Sequence, residues 1–271
     1  MTTTAIIIPC FNKLNYTVNC VGSVAEHTKD LDYRIIAVDN GSSDGTKEYL
    51  SGSASWGRNI ETIRFEDNRG FGEACNIGIK HALAQGYDYV CLLNNDVEVT
   101  AGWLSIMIAC LEREKTRGAC QPTVCDFGEN VRDCGAGLIN NPVSFDKVED
   151  FTSVLDCNKT ISQLQEMESE RLYLNGACLL AKAEVYRNIG VFDPDFFPAY
   201  FEEVDWCVRG HIAGYKMIHC GLAVVKHHFN TTSKDMPEMN KFFWDHWNLI
   251  KTRYGAYFKL LGKLKQKNIV L

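Results

Sequence analysis

The feature that most constrains the fold is a regular alternation of short apolar runs with helical patterns over residues 5–112. The apolar runs are rich in β-branched residues or fully apolar, as buried strands are, and they cover 5–9, 33–38, 60–65 and 89–93. The segments between and after them space their apolar residues as helices do, at 16–27, 46–50, 71–85 and 103–112. This order predicts an α/β fold with a parallel sheet and right-handed crossover connections.

The alternation stops after about residue 121. Residues 126–170 are polar and irregular, which predicts an insertion or a loop. Further strands are predicted at 172–180, 217–220 and 222–225. Helices are predicted at 183–189, 204–212 and 239–253. The length of 271 residues fits one large domain, or one domain with a small additional lobe.

The charge of the chain is unevenly distributed. The net charge is −6, yet residues 251–271 hold six basic residues and no acid, so the remainder carries −12. An acidic body argues against nucleic acid as the main partner. The basic, apolar-studded segment 251–271 has two interpretations, a helix packed on the body with solvated lysines or a contact with an anionic membrane surface.

The 12 cysteines are scattered and include no CxxC pair. This spacing lacks the pattern of a structural zinc site and predicts buried, reduced thiols. We also find no signal-peptide pattern and no apolar stretch of membrane-spanning length, so the expected compartment is a reducing cytoplasm.

Polar residues follow two predicted strands directly. Asp39 ends the second strand before a Gly/Ser-rich turn, where a carboxylate can accept hydrogen bonds from a nucleobase or ribose or can cap the next helix. Asp44 is the better candidate for a cap. Asn94-Asn95-Asp96 follows the fourth strand, where a carboxylate can ligate a divalent cation or simply form a turn. In open α/β sheets, ligands bind beyond the carboxyl ends of such strands.

Two later segments carry further candidates. Glu202, Glu203 and Asp205 open a predicted helix, where acids favour the helix dipole or, beside a sugar site, act as a general base. His227 and His228 follow an apolar run and are either metal ligands or structural residues. The segment 69–75 misses the dinucleotide fingerprint at Cys75, and we interpret it as a Gly-rich helix start that approaches a ligand.

Taken together, these segments resemble family 2 of the inverting glycosyltransferases, and specifically the rhamnosyltransferase-like enzymes of bacterial surface polysaccharide synthesis. The matching blocks run in family order through roughly 6–228, at 6–12, 37–46, 68–79, 91–100, 174–180, 201–210 and 224–228. The resemblance implies the GT-A fold: a Rossmann-like, mostly parallel central sheet flanked by helices, with a small additional antiparallel sheet and C-terminal helices. It divides the chain into a domain at 1–228, with a nucleotide-binding half at about 1–100 and an acceptor half at about 101–228, and a helical basic extension at 229–271.

The resemblance also implies roles for single residues. The nucleotide and donor sugar would be bound by Pro9, Phe11, Asp39, Asn68, Gly70, Asn76, Asn94, Asn95 and Gly176. Asp96 matches the last acid of the family's DxD motif, which holds Mg²⁺ or Mn²⁺, and His227 matches a histidine that completes the metal site, with His228 as its rival. The first acid of that motif is Asn94 here, so one negative charge near the metal is missing.

For catalysis, Glu203 matches the family's general base, which is usually an aspartate, with Glu202 beside it and Asp205 one turn along. The expected reaction moves a sugar, a hexose or deoxyhexose, from a UDP- or dTDP-sugar to an acceptor hydroxyl with inversion. The expected acceptor is a saccharide or a lipid-linked saccharide, in surface polysaccharide or glycoconjugate synthesis. Two alternatives are a non-catalytic nucleotide-sugar binding module and a sugar nucleotidyltransferase.

Overall fold

The computed structural model of the chain describes residues 2–53, 59–136, 158–165, 167–229 and 239–266. Within these residues the strands are β1 (Thr3–Cys10), β2 (Asp32–Asn40), β3 (Ile60–Phe65), β4 (Tyr89–Leu93), β5 (Val97–Val99), β6 (Arg117–Cys125), β7 (Val131–Asp133), β8 (Glu168–Arg171), β9 (Cys178–Lys182) and β10 (Lys216–His227). The helices are α1 (Leu14–His27), α2 (Thr46–Ser53), α3 (Phe71–Gln85), α4 (Trp103–Glu112), α5 (Ile161–Leu164), α6 (Ala183–Ile189), α7 (Glu202–Ile212) and α8 (Met239–Gln266), with a 3₁₀ turn at Pro194–Phe196.

All ten strands belong to one sheet, in the order β3-β2-β1-β4-β9-β6-β10-β5, with β7 paired to β6 and β8 paired to β10. The first four strands of this order are parallel, and Ile6 of β1 lies opposite Ile35 of β2 and Cys91 of β4. β9 runs antiparallel to both of its neighbours, so β6 and β10 again point the same way as β1. The predicted α/β fold is therefore confirmed, with a mixed central sheet.

The first half of the chain matches its predicted strands closely, whereas the second half differs. The run predicted as one strand at 172–180 gives β9 only from Cys178. A separate short strand, β8, precedes it at 168–171 and pairs with β10. The two short strands predicted at 217–220 and 222–225 form the single strand β10, with a register shift between Cys220 and Val224. Gly221 lies in this irregularity, where an added Cβ would approach the Leu164 carbonyl oxygen to 1.9 Å.

The core lies on the two faces of the sheet. Alternate residues of β1 point to opposite faces, so Ile6 and Ile8 pack with α1 and α4 while Ile7 packs with α3 and α7. A third, smaller cluster joins α7 to α8 through residues such as Val208, Trp247 and Phe258. Helix α8 is therefore packed along part of its length against the body that carries α7.

The described cysteines agree with the prediction of buried, reduced thiols. Eleven are free and buried, and the twelfth, Cys157, lies outside the described residues. Among the helices that the structure describes, none combines the length and apolar character needed to cross a membrane.

Candidate functional site

An open cleft of about 400 Å³ lies at one edge of the sheet, where several strands end. The parallel strands β1, β2, β4 and β10 all finish at this edge, and the antiparallel strand β9 begins there. The cleft is lined by Pro9, Cys10, Phe11, Asn40, Asn68, Gly70, Phe71, Asn94, Asn95, Asp96, Asn175, Gly176, Ala177, Pro198, Ala199, Tyr200, Glu202, Glu203, His227, Phe229 and Met239. Its position agrees with the rule that ligands bind at the carboxyl ends of α/β strands.

Most of the residues that the sequence assigns to the site meet in this cleft. Eleven of them line it: Pro9, Phe11, Asn68, Gly70, Asn94, Asn95, Asp96, Gly176, Glu202, Glu203 and His227. Asp39, Asn76, Asp205 and the alternative ligand His228 are outside its lining. Residues from positions 9 to 227 therefore converge on a single cavity.

Asn40, which the sequence analysis did not single out, builds one wall of the cleft. Its Nδ2 donates to Asn68 Oδ1 at 2.9 Å and to the Gly70 carbonyl at 3.1 Å, and its Oδ1 accepts from the Arg69 amide. Gly70 has φ +81°, and an added Cβ would lie 2.8 Å from the Pro198 carbonyl oxygen, so only glycine fits there. The signal for Asn40 was its place next to Asp39 at the end of a predicted strand.

Asp39 is fully buried beside the cleft and is already engaged. Its Oδ1 accepts a hydrogen bond of 2.9 Å from the Ser42 amide, and its Oδ2 is paired with the Arg64 guanidinium. Asp44 lies before α2, the helix that it was predicted to cap, and its Oδ1 accepts from the Thr46 amide and hydroxyl there. Its Oδ2 also accepts from the Leu14 amide at the start of α1. Burial raises the pKa of Asp44, but these hydrogen bonds outweigh it and lower that pKa overall.

Asp96 and His227 face each other in the cleft although 131 residues separate them. His227 Nε2 lies 3.0 Å from Asp96 Oδ1, because β10 ends beside the segment that follows β4. The His228 amide donates to the Asp96 carbonyl, which fixes the two segments together. His228 itself points elsewhere, with its ring stacked on Phe127 and its Nε2 3.5 Å from Glu98 Oε1. The geometry therefore favours His227 over His228 as the partner of Asp96.

These side chains fit a divalent cation. A carboxylate and an imidazole are donors that Mn²⁺ and related ions accept, and here they lie within one coordination sphere of each other. Two further atoms support a ligand here: Asn94 Oδ1 and His227 Nδ1 are buried and make no hydrogen bond. Such orphaned polar atoms are costly without a ligand or solvent partner. Asn95, by contrast, donates to Thr17 Oγ1 and so ties the segment to α1.

On the opposite side, Glu202 and Glu203 are presented by the start of α7. The two preceding residues, Tyr200 and Phe201, have φ +81° and +71°, which is unfavourable for non-glycine residues. His246 of α8 holds this bend by donating from Nδ1 to the carbonyls of Ala199 and Tyr200. The strained turn that places the two carboxylates is therefore maintained by contacts from the C-terminal helix.

The electrostatics of the two carboxylates differ from those of exposed acids. Burial raises the pKa of Glu203 to about 7, with a further contribution from Asp133. Burial and the neighbouring Glu203 raise the pKa of Glu202 well above its usual range, and its Oε2 has no hydrogen-bond partner. A carboxylate whose pKa lies near neutral pH is suited to proton transfer.

Two residues expected in the site instead hold the fold together, which corrects their assignment by position. Asn76 forms two hydrogen bonds of 2.9 Å with the backbone of Phe192. Asp205 is 1% exposed and is bonded to Arg209, Arg253 and Tyr254. Its carboxylate is bonded to Arg253 and Tyr254 of α8, so it faces α8 rather than the cleft.

Several cleft residues were not predicted. Phe71, Tyr200, Phe229 and Met239 supply apolar wall, and Asn175 is fixed by Gln121 and Asp133. Asn175 precedes the predicted Gly176, so its position in the 174–180 block could have indicated that it lines the cleft. The sequence pattern around the aromatic residues is the same as that of buried core residues, so the sequence did not indicate their place in the cleft.

Comparison with known proteins gives one family. The sequence model of glycosyl transferase family 2 matches residues 5–157. Glycosyltransferase AglE of Haloferax volcanii is 24% identical over 215 residues, which are 79% of this chain and 62% of AglE. The chain spans less than two thirds of the length of such curated relatives.

Solved structures show the same fold. GalNAc-T7 with UDP, GalNAc and Mn²⁺ superposes with a TM-score of 0.66 at 17% identity, covering 84% of this chain and 44% of the other. The mannosyltransferase PcManGT from Pyrobaculum calidifontis, in complex with GDP-Man and Mn²⁺, gives a TM-score of 0.61 at 16% identity, covering 84% and 57%.

Proposed function

Since this chain belongs to glycosyl transferase family 2, we propose that it transfers a sugar from a nucleoside-diphosphate sugar to an acceptor hydroxyl. One observation carries the proposal: the Asp96–His227 pair and the Glu202–Glu203 pair line the same cleft. The first pair suits a cation bound to a diphosphate, and the second suits the removal of a proton from an attacking hydroxyl. The cavity volume of about 400 Å³ falls in the range of small-molecule sites.

The donor occupies the wall formed by Pro9, Phe11, Asn40 and Asn68. Proteins with the same fold that were solved in complex with UDP or GDP-Man support a nucleotide there. A UDP- or dTDP-sugar carrying a hexose or deoxyhexose is our proposed donor, as in the rhamnosyltransferase-like branch. Because Asp39 is buried and paired with Arg64, it shapes the base end of the site through Arg64 instead of touching the base.

Asp96 and His227 would hold Mg²⁺ or Mn²⁺, and Asn94, whose Oδ1 is buried without a hydrogen bond, lines the same cleft. A divalent cation bound there would supply a Lewis acid for the charge that develops on the departing diphosphate. Asp96 alone contributes less negative charge than the two acids of a DxD motif would. Asn95 fixes the backbone of this segment through Thr17.

Glu203 takes the proton of the acceptor hydroxyl while that oxygen attacks the anomeric carbon from the face opposite the leaving group. This single displacement inverts the anomeric configuration. Glu202, whose pKa is raised further, stays protonated and donates a hydrogen bond into the cleft. Asp205 does not react; it anchors α7 to Arg253 and Tyr254.

A non-catalytic nucleotide-sugar binding module is the second candidate, favoured only by the replacements at Asn94 and Glu203. Slow hydrolysis of the donor distinguishes the two, because a competent enzyme passes some sugar to water and a binding module does not. A nucleotidyltransferase would need a Gly-rich basic loop after the first strand, and residues 9–12 offer none.

The proposal includes an organisation and a location. We propose that residues 1–228 form the transferase domain, with nucleotide-binding and acceptor halves divided near residue 100. Residues 229–271, of which the structure describes Phe229 and α8, would be an extension of that domain. The acceptor is a saccharide or lipid-linked saccharide in surface polysaccharide or glycoconjugate synthesis. The enzyme works in the cytoplasm, at the membrane face that displays such acceptors.

Thermal shift with a panel of nucleoside diphosphates and their sugars tests donor binding. Ligands that bind only the folded state raise Tm, and at one ligand concentration the shift increases with the logarithm of their affinity. We expect UDP or dTDP to raise Tm with Mn²⁺ and to do so much less in EDTA. The absence of any shift across the panel with Mn²⁺ present would contradict the proposal.

A further inference from the structure

Three buried cysteines from three elements meet far from the cleft. Cys110 lies in the last turn of α4, Cys120 on β6 and Cys220 on β10. Cys120 lies opposite Ile218, so Cys220, two residues further along, points to the same face of the sheet, towards α4. The Arg117 end of β6 is the amino-terminal edge of the sheet, opposite to the edge that carries the cleft.

The charges around these thiols favour an anion. Arg117 Nη1 lies 3.5 Å from Cys110 Sγ, 3.0 Å from the Cys110 carbonyl oxygen and 2.7 Å from Glu168 Oε2. Arg113 pairs with the other oxygen of Glu168 at 3.0 Å. Glu114 also belongs to this cluster, since it pairs with Arg117 at 3.6 Å and with Lys216 at 2.9 Å. Three basic groups thus face two carboxylates, so one positive charge remains in the cluster that holds Arg117 against the Cys110 sulfur.

This environment shifts the pKa values of the three thiols in different directions. Hydrogen bonds from Cys120 and Cys220, together with Arg117, hold the pKa of Cys110 well below its ordinary value. The bond to Cys110 and burial raise the pKa of Cys220, and burial raises that of Cys120. Of the three sulfurs, Cys110 is therefore the one whose surroundings favour the thiolate form.

The same atoms do not make a good cation site. Cys110 Sγ, Cys220 Sγ and a Glu168 oxygen lie within 4.8 Å of one another, which is close enough to share an ion. However, both Glu168 oxygens are already paired with arginines, and an added dication would meet their positive charge. Thiol chemistry fits this arrangement better than metal binding.

We propose that Cys110 and Cys220 form a disulfide in response to hydrogen peroxide, which links α4 to β10. The sulfur separation within 4.8 Å allows the bond after a modest side-chain movement. Cys220 is the partner because its sulfur contacts Cys110 and is held loosely by the backbone, with the Ile106 carbonyl oxygen at 4.0 Å. Cys120 is held at 3.5 Å by the Met107 carbonyl oxygen. A small oxidant is required, since Cys110 is 1% exposed.

The reaction has two balanced steps. The Cys110 thiolate attacks one peroxide oxygen, the O–O bond breaks, and hydroxide leaves a sulfenic acid on Cys110. The Cys220 sulfur then attacks the Cys110 sulfur, the S–O bond breaks, and the departing hydroxide takes the Cys220 proton to form water. Peroxide is reduced to water and hydroxide while the two thiols are oxidised to one disulfide.

Peptide mapping of the wild-type chain after graded peroxide exposure tests this proposal without any substitution. We expect a Cys110–Cys220 linked peptide that dithiothreitol reverses. Cys91 and Cys178 serve as the internal control, since they too are buried and in contact, but burial and Cys91 raise the pKa of Cys178. They should stay reduced at doses that link Cys110 to Cys220. No linkage, or linkage of Cys110 to Cys120, would overturn the proposal.

Matched arginine variants test the role of charge. Arg117→Gln removes the contact with Cys110, whereas Arg113→Gln removes only a pair with Glu168. A charge-assisted hydrogen bond contributes about 1.5 kcal/mol or more, so Arg117→Gln should slow the linkage roughly tenfold and Arg113→Gln much less. Equal rates in the two variants would contradict the account. Cys220→Ser should stop the reaction at a sulfenic acid that dimedone traps on Cys110.

Discussion

At the scale of single residues, the cleft depends on side chains whose chemistry is set by their surroundings. Glu203 and Glu202 are adjacent in sequence, and burial raises the pKa of both. The pKa of Glu203 is raised to about 7 with a further contribution from Asp133, and that of Glu202 is raised well above its usual range with a further contribution from Glu203. Because the two groups interact, the values observed in solution belong to the pair. A sequence pattern identifies two acids, but their burial sets these properties.

We expect donor turnover at saturating donor to rise with pH and to level off above about pH 7. The raised pKa means that Glu203 is protonated below this value and cannot accept a proton, whereas above it the carboxylate is free to do so. A pH–rate profile from about pH 5 to about pH 8 measures this. A flat profile over that interval would exclude Glu203 as the base.

Glu202→Gln should reduce the loss of stability at alkaline pH. The pKa of Glu202 is raised in the folded state, so its protonated form stabilises the fold below the unfolded-state pKa, and this contribution is lost as pH rises through the folded-state pKa. An amide cannot ionise, so the free energy of unfolding of the variant should fall less between about pH 5 and about pH 8. Urea titrations measure the difference, with exposed Glu184→Gln as the control. Equal pH dependence in all three proteins would be inconsistent with a buried, ionising Glu202.

The sequence predicted the residues that line the cleft better than it predicted which residues lie outside it. Asp96 and His227 lie at the ends of strands, and Glu203 lies at the start of a helix. Such positions lie at the edge of the sheet because of the local strand and helix pattern alone. Asp39, Asn76 and Asp205 occupy similar positions, but Arg64, Phe192 and Arg253 take up their hydrogen bonds. These partners lie 25 to 116 residues away, so local sequence does not reveal them.

At the scale of elements, α8 maintains the geometry of α7. His246 holds the strained bend before Glu202, and Phe201 packs against Phe243 and Trp247. Arg253 Nη1 bonds both Asp193 Oδ2 at 2.9 Å and Asp205 Oδ1 at 3.2 Å. The C-terminal helix is thus part of the support of the site.

Arg253→Ala should destabilise the fold by about 1–3 kcal/mol, because Asp205 is buried and loses a charged partner. We place the value in this range because Arg253 is partly exposed and Arg209 remains bonded to Asp205. Lys241→Ala, which breaks an exposed pair with Asp245 on the same helix, should cost less than about 0.5 kcal/mol. Urea denaturation compares them, and similar losses for both variants would rule out the anchoring role of Arg253.

Elements that arise from local sequence patterns were predicted better than elements that depend on pairing with distant segments. β1 to β4 and the helices between them arise from local patterns joined by crossovers, and these could be predicted. β8, β9 and β10 depend on pairing between distant segments, so the sequence misplaced the start of β9 and divided β10 in two. The irregularity at Gly221 exists because Leu164 packs against it, which no local pattern encodes.

At the scale of the whole molecule, the basic segment is only partly available to a partner. Tyr254 is bonded to Asp205 and Phe258 is buried, which supports the interpretation of a helix packed on the body. Lys259 and Leu260, the latter at 52% exposed, lie at the surface of this end of the helix, and the sequence continues with Lys263, Lys265 and Lys267. An anionic membrane surface is therefore compatible with the packed helix.

Replacing Lys259, Lys263, Lys265 and Lys267 by glutamine should weaken binding to anionic vesicles without unfolding the chain. Each basic residue near such a surface contributes about 1 kcal/mol, so four replacements should remove flotation with phosphatidylserine vesicles. Deletion of 251–271 would be a poorer test, because it also removes Arg253 and Phe258 from the core. Unchanged flotation, or no flotation of the wild type, would end the membrane proposal.

The central claim is that Asp96 and Glu203 act in one transfer from two sides of one cleft, Asp96 through a cation on the donor diphosphate and Glu203 on the attacking hydroxyl. Its most direct test compares donor binding with single-turnover donor breakdown in the wild type, Glu203→Gln and Asp96→Asn, with Mn²⁺ present. We predict that Glu203→Gln binds the donor as the wild type does but breaks it down about 10²–10⁴-fold more slowly, and that Asp96→Asn loses cation-dependent binding. Breakdown at the wild-type rate by Glu203→Gln, or cation-dependent binding retained by Asp96→Asn, would contradict the account.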